Sequence, residues 1–173
     1  LWDDIQKSAA PEKDLKYPTV IWHYANGMAM LGKQQVPRAK QHLQDMKDVM
    51  TDTTIKALTI WGINSVYDIC NIAVKVLEGE IAARERNYPL AVKLLEEAVA
   101  MEDALNYDEP PDWFFSVRHH LGAVLTESGN YGAAVEIFEE DLKTYRENGW
   151  ALKGLMDAYN LMKDKPNYEK TRK

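Results

Sequence analysis

The sequence predicts an all-α fold of antiparallel helix pairs stacked as an α-solenoid, and three observations carry that expectation. Apolar residues recur at helical spacing, and no segment sustains the two-residue alternation of a half-buried strand. Pro, Gly and Asn punctuate the ends of the helical stretches. A glycine, an alanine twelve residues on and a large apolar residue four further recur three times: Gly27, Ala39, Leu43; Gly79, Ala91, Leu95; Gly122, Ala134, Phe138.

About seven helices follow from the spacing. The opening, residues 1–17, reads as a leader or the tail of an earlier helix. The first helix covers about Thr19 to Leu31, closed by Gly32. The second starts at Pro37, whose missing N–H is not needed in a first turn, and runs to about Met50. Residues 51–64 are the least regular stretch. The third helix starts after Ser65, which with Asp68 resembles a capping box, and shows a stripe of Val66, Ile69, Ala73 and Leu77. The fourth runs from Tyr88 to about Leu105, with Leu90, Leu94, Leu95, Ala98 and Met101 expected inward. Pro110-Pro111 then breaks the chain firmly, because proline disfavours helix in the residue before it. Asp112 is the expected N-cap of the fifth helix, whose face is Phe114, Val117, Leu121 and Val124. The sixth spans about Tyr131 to Glu147, closed by Asn148-Gly149, and the seventh spans about Trp150 to Met162. Pro166 opens a further helical turn. The helix pairs divide the chain into repeats over about 18–50, 65–105 and 112–148, with a partial one over 149–173.

Composition narrows the function classes. In 173 residues, 46% are hydrophobic and 28% charged, enough for a core and unlike a disordered chain. The formal net charge of -6 argues against binding a nucleic-acid backbone, which needs clustered Lys and Arg. No run approaches the roughly 18 apolar residues of a membrane span. The single cysteine, Cys70, forms no internal disulfide and is expected as a small core residue, so a cytoplasmic setting is the simplest expectation. The chain starts at Leu1 and stops in the first turns of a helix, as a piece of a longer protein would.

The repeated triplets have a direct physical meaning. Two helices approach closely only where small residues face each other, and a bulky residue one turn on fills the groove beside them. On these residues the chain resembles the tetratricopeptide repeat family. Leu121-Gly122, Gly129, Tyr131, Ala134 and Phe138 match best; Gly79, Tyr88, Ala91, Leu95 and Ala98 follow, then Gly27, Ala39 and Leu43. Leu152, Leu155 and Tyr159 look like the opening of a fourth repeat. The departures are specific. The glycines lie 52 and 43 residues apart (79 − 27 and 122 − 79), not the family's 34. Extra residues fall between Met50 and Ile72 and between Met101 and Phe115, Asp141 stands where the family prefers Ala, and Met156 stands for Gly. Segments such as Tyr107 to Trp113 and Asn148 to Leu152 also resemble a mainly bacterial subgroup of the family to which no activity is assigned.

The resemblance implies a right-handed solenoid whose first helices line a concave groove. Family register places Tyr24, Met28, Glu80, Arg84, His119, Thr126, Lys153 and Asn160 along it. The Lys, Asn and Arg clamp that grips C-terminal carboxylates in some relatives is replaced by Tyr24, Met28, Val76 and Glu80, so that ligand class is not expected. A second candidate is the polar-aromatic corner of Tyr107, Glu109, Trp113 and Arg118 beside His119. It is either a rigid corner capped by Asp112 or a small pocket with Arg118 as anion anchor. Trp22, Tyr24 and Trp61 are read either as a sticky surface patch or, as the favoured expectation, as core packing between the first two pairs. His119, His120, His23 and Glu80 are not expected to share a metal, because adjacent helical histidines diverge by about 100° and no HExxH spacing exists. No catalytic triad, phosphate loop or dinucleotide fingerprint is present, so neither enzyme activity nor a cofactor is expected. The expected function is a scaffold or adaptor for a protein or peptide. Ends without polar capping helices imply further repeats or self-association.

Overall fold

The computed structural model describes residues 2–12 and 14–172. Among these, nine α-helices form: α1 (Trp2–Lys7), α2 (Lys16–Gly32), α3 (Val36–Met50), α4 (Val66–Arg84), α5 (Tyr88–Asp103), α6 (Val117–Glu127), α7 (Tyr131–Thr144), α8 (Gly149–Leu161) and α9 (Lys165–Thr171). Beyond the seven expected helices are the short α1, in the segment read as a leader or helix tail, and α9, the helix expected to begin at Pro166. A 3-10 turn (Thr53–Ala57) and two-residue strands β1 (Thr59–Ile60) and β2 (Asn64–Ser65), paired antiparallel, fill the irregular stretch after α3. The chain divides into two compact units, residues 1–114 and 115–173.

In the first unit α4 is central and packs against α2, α3 and α5. Its apolar residues point nearly all round, and Ile69, Cys70, Ile72, Ala73, Val76 and Leu77 are completely buried. A helix apolar on every side belongs inside a fold rather than on its surface. Ser65 caps α4 as predicted, its hydroxyl oxygen accepting from the Asp68 amide at 3.4 Å. Burial pushes the Cys70 thiol up to about 12, so it is an unreactive core residue. The segment read as a leader is in part a structural element. The Trp2 ring of α1 covers Gly32, where an added Cβ would come within 2.4 Å of it, and Asp3 pairs with Lys33.

In the second unit α6 pairs with α7, α7 with α8, and α8 with α9. Its core is Val117, Leu121, Ala134, Phe138, Ala151, Leu155 and Ala158. Asn148 and Gly149 do not close the preceding helix. The Asn148 side chain caps α8, accepting from the Trp150 amide at 2.9 Å, and Gly149 is its first residue.

The helix pairs share one backbone device. Gln34, Arg86, Gly129 and Lys163 all take left-handed conformations, with φ of 59°, 61°, 84° and 59°. After each, an amide reaches back five residues at 2.8–2.9 Å: Gln35 to Met30, Asn87 to Ala82, Asn130 to Leu125, and Asp164 to Tyr159. This is the Schellman ending, which turns the chain into its partner helix. The four turns lie 52, 43 and 34 positions apart (86 − 34, 129 − 86, 163 − 129), so α8 and α9 complete a fourth pair at the regular spacing.

The small-residue contacts hold, with one change of partner. A Cβ on Gly79 would meet Leu95 at 2.7 Å and one on Gly122 would meet Phe138 at 2.4 Å, as the triplets imply. A Cβ on Gly27 would meet Leu77 of α4 at 2.6 Å and His42 at 3.5 Å, with Leu43 not among its nearest neighbours. Ala39, Ala91 and Ala134 are fully buried.

Candidate functional site

The residues expected to line a groove divide by burial. Met28, Glu80 and Thr126 are half-buried, and Arg84, Lys153 and Asn160 are exposed. Tyr24 is not available to a ligand. It is 6% exposed, its ring lies 5.6 Å from Trp113 and 6.4 Å from Phe114, and burial, with Glu80 adding to it, pushes its hydroxyl pKa up. His119 is likewise closed off, 7% exposed with its Nε2 2.9 Å from Asp141 Oδ2. Their family register puts both on first helices, but the large neighbours Trp113 and Asp141 cover them. The Thr126 hydroxyl donates to the Gly122 carbonyl at 2.8 Å, and Lys153 pairs with Asp157 one turn on at 2.6 Å.

The expected corner is also redistributed. Tyr107 is 84% exposed, and its hydroxyl donates to Glu109 Oε1 at 2.7 Å. That hydrogen bond to a carboxylate is the first cause holding its phenol pKa up. Trp113 is 2% exposed and packs on Tyr24 and Phe114, so it serves as core rather than as a pocket wall. Phe114, expected inward, is 65% exposed, and Leu90 is exposed as well. Arg118 is half-buried in the first turn of α6. Asp112 caps no helix. Ser116 takes the N-cap position of α6 without a side-chain bond, and Asp112 Oδ2 accepts from Asn64 Nδ2 at 2.8 Å.

That bond belongs to a feature the sequence did not reveal. Asn64, 3% exposed in β2, also donates from Nδ2 to the Asn106 carbonyl at 2.9 Å and accepts the Asn106 amide on Oδ1 at 2.7 Å. Asn106 in turn donates from its side chain to the Ile63 carbonyl at 3.1 Å. The insertion after α3 and the insertion after α5 are therefore stitched together through the side chains of Asn64 and Asn106. Trp61, expected in the core, sits at the hairpin tip with φ of 53° and is 88% exposed, near Leu58 and Ile63, exposed at 44% and 39%. Trp61 and Tyr107 are thus large aromatics held in solvent on the two sides of the Asn64 stitch.

A further cluster lies between α2 and α3. His23 Nδ1 stands 3.0 Å from His42 Nδ1 and 3.6 Å from Asp45 Oδ2. The Trp22 ring meets both imidazoles edge-on, at 5.0 and 6.0 Å between centroids. Burial is the first cause that lowers the pKa of both histidines; Asp45 opposes it, and for His42 the neighbouring His23 adds to it. A separate trough of about 600 Å³ runs between α3, α4 and α5, bridged by Lys40 to Glu85 at 2.7 Å, Lys47 to Glu78 at 2.6 Å and Lys75 to Glu97 at 2.7 Å. Its lysines are each engaged by a glutamate.

These helix pairs, their Schellman turns and their glycine contacts define an all-α helical-repeat protein. The tetratricopeptide repeat family model matches residues 116–148, the span of α6 and α7, so the second unit contains a tetratricopeptide repeat. No curated protein and no solved structure matches the chain. Repeats of this family generally serve as interaction scaffolds rather than as enzymes, and no helix among the described residues is long and apolar enough to cross a membrane.

Proposed function

We propose that the chain is a non-enzymatic scaffold that recognises a protein or peptide. The observation that carries this reading is the stitched corner of the first unit, which holds Trp61 and Tyr107 in solvent at 88% and 84% exposure. Exposed aromatics on fixed backbone are the anchors that protein interfaces favour, because they bury large area with little loss of side-chain freedom. Asn64 supplies the fixed backbone. In the same unit, the half-buried Met28 and Glu80 and the exposed Arg84 extend the surface offered to a partner. The small-ligand reading of the Tyr107 to His119 segment has less support, since His119 is tied to Asp141 and Trp113 is closed under Tyr24.

The test is quantitative affinity capture from the source cell with the wild-type chain, Trp61→Ala/Tyr107→Ala and Glu80→Ala/Arg84→Ala. The expected result is one dominant polypeptide that the aromatic variant loses and the charge variant holds less well. Equal capture by all three chains, or a small molecule as the only companion in native mass spectrometry, would sink the reading.

A further inference from the structure

We propose that His23, His42 and Asp45 form a binding site for one divalent transition-metal ion of the zinc class, joining α2 to α3. One imidazole nitrogen from each histidine and one carboxylate oxygen of Asp45 all lie within 4.8 Å of one another. His42 and Asp45 stand three residues apart on α3 and therefore share a face, and His23 faces them from α2.

The distances favour a shared ion over simple pairing. Ligands held 2.0–2.1 Å from a tetrahedral centre lie about 3.3 Å apart. The two separations here are 3.0 Å and 3.6 Å, on either side of that figure. Direct pairing leaves a mismatch, because 3.6 Å is too long for a hydrogen bond between imidazole and carboxylate. One N–H between the rings accounts for their approach and leaves Asp45 Oδ2 unexplained. An ion at the centre accounts for all three atoms.

The surroundings suit ligands. Gln41 Nε2 donates to Asp45 Oδ1 at 2.9 Å, which leaves Oδ2 turned toward the imidazoles. Such outer partners fix the direction of a ligand lone pair. Trp22 fixes both ring planes from one side. All three residues are half-buried, so the site is partly dry yet reachable from solvent. Burial lowers the pKa of both imidazoles, which favours the neutral form that binds metal. Two nitrogens and one carboxylate oxygen select zinc-class ions over magnesium or calcium, which prefer all-oxygen shells. Three protein ligands leave a fourth position to water or to a donor from another molecule.

The experiment uses the full untagged chain, stripped with a chelator and titrated with zinc chloride. Calorimetry and native mass spectrometry count the ions, and thermal unfolding reads the coupling to the fold. The expected result is one ion per chain with a melting temperature that rises with zinc. His42→Gln and Asp45→Asn should each weaken binding by at least about 10–100-fold, the scale on which even outer partners of a ligand act. His120→Ala, in the other unit, should bind as wild type. Circular dichroism confirms that each variant folds, and His23→Gln replaces any that does not. No bound ion in the wild type overturns the proposal. So does binding that survives His42→Gln and Asp45→Asn, or that is lost in His120→Ala.

Discussion

His119 Nε2 lies 2.9 Å from Asp141 Oδ2 inside the second unit, and His119 Nδ1 and Asp141 Oδ1 find no hydrogen bond among the described residues. Asp141 stands where the repeat family favours alanine, so this pair is a local departure from an apolar seam. Removing one partner should strand the other. Asp141→Ala is expected to cost about 1–3 kcal/mol, the penalty of an unpaired buried polar group. His119→Leu should cost more, about 3–5 kcal/mol, because it leaves a carboxylate alone in the interior. The double variant should recover most of the loss. Urea unfolding of all four chains completes the cycle, and costs that simply add would mean the pair has no coupling.

Phe138 is clamped between two glycines. An added Cβ would come within 2.4 Å of its ring at Gly122 and 2.3 Å at Gly154. Gly122→Ala and Gly154→Ala should each destabilise by about 1–3 kcal/mol through overpacking. Gly132, on the same helix as Phe138, faces open space. Gly132→Ala should be neutral or gain up to about 1 kcal/mol. Melting temperatures of the three variants separate a contact effect from a general cost of losing glycine.

Asn64 makes three hydrogen bonds that cross between the insertions. Asn64→Ala should cost about 1–3 kcal/mol by stranding the Asn106 amide and the Asp112 carboxylate. The effect should be local. Hydrogen exchange is expected to quicken over residues 59–65 and 104–112 while α4 and α5 stay protected. Uniform loss of protection would contradict this picture of a stitched corner.

The Tyr159 hydroxyl donates to Glu139 Oε1 at 3.0 Å, and burial first, then that carboxylate, pushes its pKa up to about 12. The folded value lies above the unfolded value near 10. The unfolded chain therefore gives up this proton first, and the contribution is complete below pH 10 and lost as pH rises toward 12. Tyr159→Phe should flatten this part of the alkaline stability profile. An unchanged alkaline slope in the variant would show that other tyrosines carry it.

The sequence made the helices legible because their signals are local. Ser65 caps α4 through its own first turn, Pro37 sits where a helix needs no N–H, and Gly79 and Gly122 mark close approaches. The same glycines carried the repeat register that the turns at Gln34, Arg86 and Gly129 reproduce. The fourth turn was harder to see, since Lys163 takes the left-handed position where glycine would have signalled it. Asp112 was misread for a similar reason. An acidic residue before a helical stretch looks like a cap, and only a partner 48 residues away shows its other use.

By itself the sequence determined the all-α class, the pairing of helices and the rhythm of close contacts, because each rests on residues within a few turns of one another. Only the tertiary structure decided which of those residues face solvent. Tyr24 and His119 went inside because Trp113 and Asp141 cover them, and Trp61 went outside because the hairpin that bears it is pinned by Asn64 from below. The meeting of His23 with His42 and Asp45 was decided in the same way, since it depends on how two helices rotate against each other when they pack, which no single helix's periodicity records.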